Sequence, residues 1–187
     1  GGTVINAKEW LEKPGSVGLP WPGSEIRIYD DEGNRLGAGQ IGTVYMQLMA
    51  DFEYKGDSAK TKANRIENFF TVGDLGELDE DGYLFLRDRK ADMIISGGAN
   101  IYPAEIEGEL INHPAVQDVA VFGIPNADWG EEIKAVVELH EGFEPGDELV
   151  ADILGWAATR MAKFKLPKSV DFVETLPREP NGKLIKR

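Results

Sequence analysis

The sequence predicts an α+β to α/β chain in two parts: a distorted, barrel-like β-sheet of short strands, then a small β-α-β-β-α-β domain. Three observations predict it. In the first half, short strand-like runs alternate with turn clusters. In the second half, strand and helix periods alternate, the pattern of a compact α/β unit. The composition, 42% hydrophobic with 22 Gly and 10 Pro in 187 residues, suits a chain that buries a core rather than a disordered one.

In the first half, Glu25-Ile26-Arg27-Ile28-Tyr29 alternates polar and apolar side chains and is broken by the turn cluster 30–34. Residues 43–48 form a second strand. Residues 75–78 and 83–86, joined by Asp79-Glu80-Asp81-Gly82, read as a hairpin, and residues 57–66 read as one short helix. In the second half, Met93-Ile94-Ile95 is a short strand. Pro103 opens a helix with Ile106, Leu110 and Ile111 on one face, ending at Asn112-His113-Pro114. Strands follow at 116–124 and 133–139. Asp147 is the expected N-cap of a second helix whose apolar face is Val150, Ile153, Leu154, Ala157 and Met161, and residues 170–173 close the order. The expected division is 1–88, a hinge at 89–92, and 93–187.

Composition narrows the function. With 20 Lys+Arg against 33 Asp+Glu, the net charge is −13, the reverse of the basic footprint of a nucleic-acid module. An anionic ligand needs a local reversal of that field. The absence of Cys excludes disulfides, thiol nucleophiles and Cys-ligated zinc, and two histidines, His113 and His140, make no multi-histidine site, so no metal site is expected in this chain. No apolar run approaches the ~20 residues that span a bilayer, and no signal peptide is visible, so the expected location is cytoplasmic. The chain does not begin with Met, and the expectation is a piece of a longer protein.

Gly37-Ala38-Gly39-Gln40-Ile41-Gly42 matches the dinucleotide fingerprint letter for letter, but a turn precedes it and a β-branched run follows. The strand-to-helix context that would place pyrophosphate on a helix N-terminus is missing, so it reads as a glycine-rich strand connection. Three other segments occur together and in order. The first is Phe70-Thr71-Val72-Gly73-Asp74-Leu75-Gly76. The second runs from Asp88-Arg89-Lys90-Ala91-Asp92-Met93-Ile94-Ile95 through Ser96-Gly97-Gly98-Ala99-Asn100 to Pro103-Ala104-Glu105-Ile106-Glu107; its Gly97-Gly98, between a strand and a helix, permits close backbone approach to a ligand. The third is Leu176-Pro177-Arg178-Glu179-Pro180-Asn181-Gly182-Lys183, which puts a lysine beyond a Pro- and Gly-rich loop.

These segments resemble the later core motifs of the adenylate-forming (AMP-binding) superfamily of acyl-CoA synthetases, luciferases and peptide-synthetase adenylation domains. The third is similar to the P-x-x-x-x-G-K signature. The second resembles the hinge motif in the form found in fatty-acyl and aryl-CoA ligases. His113-Pro114-Ala115-Val116 through Ala120-Val121-Phe122-Gly123 resembles a fourth motif. The resemblance implies the end of a large N-terminal AMP-binding domain, a barrel-like remnant, followed by a mobile C-terminal lid. The family's upstream phosphate loop is absent from this sequence, so the chain alone is expected to be inactive.

The implied activity is that of an ATP-dependent acyl-CoA synthetase. A carboxylic acid, in the first place a fatty acid, is activated as acyl-adenylate and passed to CoA, with Mg2+ held mainly by the missing upstream part. Asp74 matches the aspartate that accepts from the ribose hydroxyls, and Leu86 and Arg89 match nucleotide contacts. Lys183 matches the catalytic lysine that reaches the attacking carboxylate and the α-phosphate. Ala91 matches the hinge, where most relatives carry Asp or Lys. Gly97 and Gly98 match the loop presented to pantetheine, and Phe164, Lys165 and Lys168 match the CoA nucleotide site. Independently of resemblance, Arg160, Lys163, Lys165 and Lys168 set four cations in nine residues without an acid, the field reversal that phosphates need; the alternative is a solvated helix end, where cations are favoured anyway. The other functional readings are an adenylation domain loading a carrier protein, and a noncatalytic interaction module that kept the lid fold. The implied partners are a small carboxylate, ATP, CoA and the chain's own N-terminal domain, with no nucleic acid and no transmembrane segment; the sequence is silent on oligomeric state.

Overall fold

The computed structural model describes residues 2–47, 64–180 and 182–186. The chain divides into two compact units, Gly1–Ala91 and Asp92–Arg187.

The N-terminal unit begins with β1 (Thr3–Val4), the short helix α1 (Ala7–Glu12) and β2 (Leu19–Pro20), with β1 antiparallel to β2. Asn6 and Glu9 form a reciprocal capping box that satisfies two backbone donors at the start of α1. The main sheet consists of β3 (Glu25–Tyr29), β4 (Gly42–Gln47), β5 (Arg65–Ile66), β6 (Phe69–Phe70), β7 (Asp74–Leu78) and β8 (Leu84–Arg89). Its centre is β4. One edge of β4 pairs with β3 along its length, and the other is shared, with β7 at its start and β6 near its end. Among the described residues this is an open, distorted sheet and not a closed barrel. The helix expected over 57–66 lies mostly outside the described residues; its last two positions, Arg65–Ile66, form β5 instead. Leu48, expected in the second strand, also lies outside them. Gly42 of the dinucleotide-like motif opens β4. Hydrogen there is compulsory, since a Cβ would stand 2.4 Å from the Tyr29 carbonyl oxygen.

Lys13 closes this unit's hairpin. Its ammonium lies 2.7 Å from Asp79 and 2.6 Å from Asp81 in the β7–β8 turn, and the two side-chain hydrogen bonds hold its pKa above the ordinary lysine value. Partial burial works to raise the Asp79 pKa, but Lys13 and the backbone N–H groups of Tyr83 and Asp81 hold it below normal.

The C-terminal unit contains β9 (Ile94–Ser96), β10 (Ala99–Ile101), α2 (Pro103–Leu110), β11 (Val116–Asn126), β12 (Gly130–Leu139), α3 (Asp147–Ala158) and β13 (Ser169–Val173), with a 3₁₀ turn at Lys163–Lys165. Central β12 pairs with β11 along one edge, and on the other with β9 at Gly130 and, in parallel, with β13 over residues 134–138. Alternate residues Ile133, Ala135 and Val137 face a core closed by Ile106 and Leu110 of α2 and Ile153 and Ala157 of α3. Three expectations change. An extra strand, β10, precedes α2, because Gly97-Gly98 turns the chain back on itself. Gly146, not Asp147, is the N-cap of α3, and Asp147 is its first helical residue, where a carboxylate favours the positive end of the helix. Ile111 lies beyond the last turn of α2 and is exposed, while Pro103 joins Ile106 and Leu110 on the buried face.

Candidate functional site

Asp74 and Arg89 are directly opposed across β7 and β8, with Arg89 Nε 3.8 Å from Asp74 Oδ1. Gly76 opposes Leu86. Opposed residues lie on the same face of a sheet, and residues 74 and 76 share a face, so Asp74, Leu86 and Arg89 stand together. Spaced three apart, Leu86 and Arg89 would face opposite sides of a regular strand. A bulge absorbs one residue between the Leu75–Asp88 and Gly76–Leu86 pairs and restores the common face. Gly76 leaves room beside Leu86, which is 44% exposed; a Cβ at 76 would sit 2.6 Å from the Phe85 carbonyl oxygen. The entry to β7 is set by Gly73 at φ +87°, whose N–H donates to Thr71 Oγ1 and whose carbonyl accepts the Lys90 N–H at 2.8 Å. The result is a half-buried carboxylate paired with an exposed guanidinium beside an apolar side chain, able to offer acceptors and a donor fork to a polyhydroxylated, anionic ligand.

The expected hinge residue, Ala91, ends the N-terminal unit and Asp92 begins the next. Gly97 and Gly98 are the two central residues of the β9–β10 hairpin, with φ of +58° and +79°, a combination that glycine alone adopts without strain. The Gly97 N–H donates to the Trp129 carbonyl at 2.9 Å, and the Trp129 indole covers Gly97 so closely that a Cβ would meet it at 2.6 Å. Trp129 is itself 60% exposed.

The four cations after α3 have different settings. Arg160 lies over the Trp156 ring at 3.5 Å and donates to the Trp156 carbonyl, so it serves the helix end. Lys165 is held by both carboxylate oxygens of Glu105, at 2.5 and 2.7 Å, from the first turn of α2. Lys163 and Lys168 are exposed, and the Phe164 ring beside them is 55% exposed. Glu105 therefore tempers the field reversal that the sequence suggests. It lies sixty residues away, too far for a charge-pattern reading to register.

Lys183 is exposed, and its loop is built rather than loose. Its backbone carbonyl accepts the Glu179 N–H at 2.8 Å, the Gly182 N–H donates to the Glu179 carbonyl, and Ile185 N–H bonds to Pro177. Leu176 is buried, and its N–H donates to Glu138. Asn181 lies outside the described residues. Arg178, Asp118, Glu107 and Lys186, which hold this loop, were not among the candidate residues, although Arg178 lies within the third segment. Among the described residues no group of three or more His, Asp or Glu converges as a metal site, so the described side chains do not by themselves make a metal centre. No helix among them is long and apolar enough to cross a membrane.

Residues 105–183 match the AMP-binding enzyme C-terminal domain. The whole chain is 38% identical over 186 residues to a long-chain-fatty-acid–CoA ligase, FadD13, of Mycobacterium tuberculosis, covering all of this chain and 36% of that protein. This chain belongs to the adenylate-forming superfamily. A fatty acid–[acyl-carrier-protein] ligase, ScoC, of Streptomyces coeruleorubidus is also 38% identical, over 173 residues, covering 92% of this chain and 33% of that protein. Among solved members, the o-succinylbenzoate CoA synthetase MenE of Bacillus subtilis in complex with its acyl-adenylate intermediate superposes with a TM-score of 0.88 at 32% identity, covering 98% of this chain and 37% of that one. The chain thus spans about a third of the length of the adenylate-forming relatives it matches.

Proposed function

We propose that this chain is the C-terminal portion of an ATP-dependent acyl-CoA synthetase, which converts a carboxylic acid, in the first place a fatty acid, to an acyl-adenylate and then to its CoA thioester. The observation that carries the reading is Lys183, held at the end of a turned loop within the stretch that matches the AMP-binding enzyme C-terminal domain. In adenylation, the carboxylate attacks the α-phosphate and pyrophosphate leaves. The Lys183 ammonium neutralises both anions as they meet, the electrostatic stabilisation that dominates such steps. Asp74 accepts from the ribose hydroxyls, while Arg89 and Leu86 contact the nucleotide. In the second step the CoA thiol adds to the acyl carbonyl and AMP departs. Gly97 and Gly98, lacking side chains, allow the pantetheine arm to pass, with Phe164, Lys165 and Lys168 at the nucleotide end of CoA. Ala91 is the pivot between steps, residues 1–88 are the end of the AMP-binding domain, and 93–187 are the lid. Mg2+ would be held mainly by the upstream part, and the reading places the protein in the cytoplasm, with its ATP and CoA.

In the full-length protein, Lys183→Ala should lower carboxylate-dependent ATP–pyrophosphate exchange by ~10²–10³-fold, in line with a lost oxyanion donor, and spare thioester formation from supplied acyl-adenylate. Unchanged exchange would refute the assignment. The likeness to a carrier-protein ligase supports a second reading, in which the thiol donor is carrier-bound pantetheine. Lys168→Glu with Lys165→Glu separates the two: a raised KM for CoA is expected for the first, and an unchanged one favours the second.

A further inference from the structure

The loop carrying Lys183 is fastened to the C-terminal unit on both sides of that residue. Upstream, the Arg178 guanidinium pairs with Asp118 of β11 through Nη2, while Nη1 donates to the Gly182 carbonyl at 2.7 Å. One planar fork therefore joins β11 to the peptide group linking Gly182 and Lys183, a bridge that a lysine in its place could not reproduce. The bond to Asp118 also holds the Arg178 pKa above its ordinary value. Downstream, Lys186 Nζ lies 2.7 Å from Glu107 Oε1, and the same oxygen accepts the Val121 N–H at 2.7 Å. The Lys186 and Glu107 side chains are only 13% and 19% exposed, so this pair is shielded more than an ordinary surface pair.

We propose that Arg178 and Lys186 are positioning residues for Lys183: by pairing with Asp118 and Glu107, they fix the backbone from which its ammonium reaches the reacting groups. This rests on the reading of Lys183 as the adenylation lysine. The physical need is plain. A lysine side chain is long and freely rotating, and an unfastened backbone would add further freedom to be lost at each turnover. A misplacement of ~1 Å at a reacting centre costs on the order of 10²-fold in rate. Both posts, on β11 and α2, stand on elements that share one core, so Lys183 moves with that core.

The test uses the full-length protein and reads the two half-reactions separately. Arg178→Met and Lys186→Met should each lower kcat for adenylation on the order of 10-fold, leaving the KM for ATP, thioester formation from supplied acyl-adenylate, and the melting temperature unchanged. Arg178→Lys, which keeps the charge without the fork, should recover only part of the loss. A parallel fall of both half-reactions with the melting temperature would reduce the two pairs to general fold stability and overturn the proposal. Unchanged adenylation in both Met variants, with exchange abolished in Lys183→Ala, would overturn positioning and leave the Lys183 reading standing. Intact exchange in Lys183→Ala would remove that reading and the proposal with it.

Discussion

The two units share a plan and differ in how they close it. In each, one long strand, β4 or β12, has a single partner along one edge and divides its other edge between two strands. Among the described residues, only the C-terminal sheet is covered by helices that bury side chains against it. Among the described residues its core cluster gathers twelve buried side chains from strands and from both helices, while in the N-terminal sheet Ile26, Ile28, Val44 and Leu84 form one cluster, Tyr29, Phe69, Phe70 and Leu75 are also buried, and α1 buries none. The described core of the C-terminal unit is closed by helices; the described N-terminal residues show glycine-permitted backbone packing at Gly42 and Gly76 and an ion-paired turn at Lys13. Charge follows the same division: nine Lys+Arg against seventeen Asp+Glu in 91–187, and eleven against sixteen in 1–90.

This contrast can be broken from either side. Leu110→Ala removes a fully buried side chain at the meeting of α2 and β11 and should cost about 2–5 kcal/mol, unfolding the C-terminal unit while amide exchange in β3 and β4 is unchanged. Loss of protection in both units would mean that they fold as one. Gly76→Ala drives a Cβ toward the Phe85 carbonyl and should cost about 1–3 kcal/mol, confined to the N-terminal unit, and under the proposed reading of Leu86 as a nucleotide contact it should also weaken nucleotide binding; equilibrium unfolding and nucleotide titration read both.

The smallest effect is the response to acid. Glu25 is held below its ordinary pKa by the Arg27 hydrogen bond, Asp30 by Asn34, and Asp79, against burial, by Lys13. Carboxylates lowered on folding stabilise above their ordinary values, 4.5 for Glu and 3.8 for Asp, and this stabilisation is lost as pH falls through the folded values. All three lie in the N-terminal unit, so that unit should lose exchange protection first below pH ~4, and Lys13→Met should reduce the acid sensitivity. Simultaneous loss in both units would contradict it.

Much of the fold is legible in the sequence because it rests on short-range order. The alternation of Ile133, Ala135 and Val137 and the helical spacing of Ile106 with Leu110 and of Ile153 with Ala157 mark core faces that burial then fills. The hairpin turn at residues 79–82 is equally local. Gly97-Gly98 is legible as a turn between a strand and a helix but not as a hairpin, because three-residue strands carry too little alternation to announce themselves. At the site, the motif residues Asp74, Arg89 and Lys183 stand out by type and order. That Leu86 and Arg89 share a face depends on a bulge, which shifts register without any residue preference to betray it.

By itself, then, the sequence determined the two-part α/β order, the core faces, the family and the identity of the candidate site residues, all properties of neighbouring residues or of ordered motifs. Only the tertiary structure decided the shared strand edges, the common face of Asp74, Leu86 and Arg89, the capture of Lys165 by Glu105, and the fastening of the Lys183 loop by Arg178 and Lys186. The common face rests on a bulge that no residue type marks, and the ion pairs join groups distant in the chain, where partner choice among 33 acids and 20 bases is set by folded geometry and not by spacing.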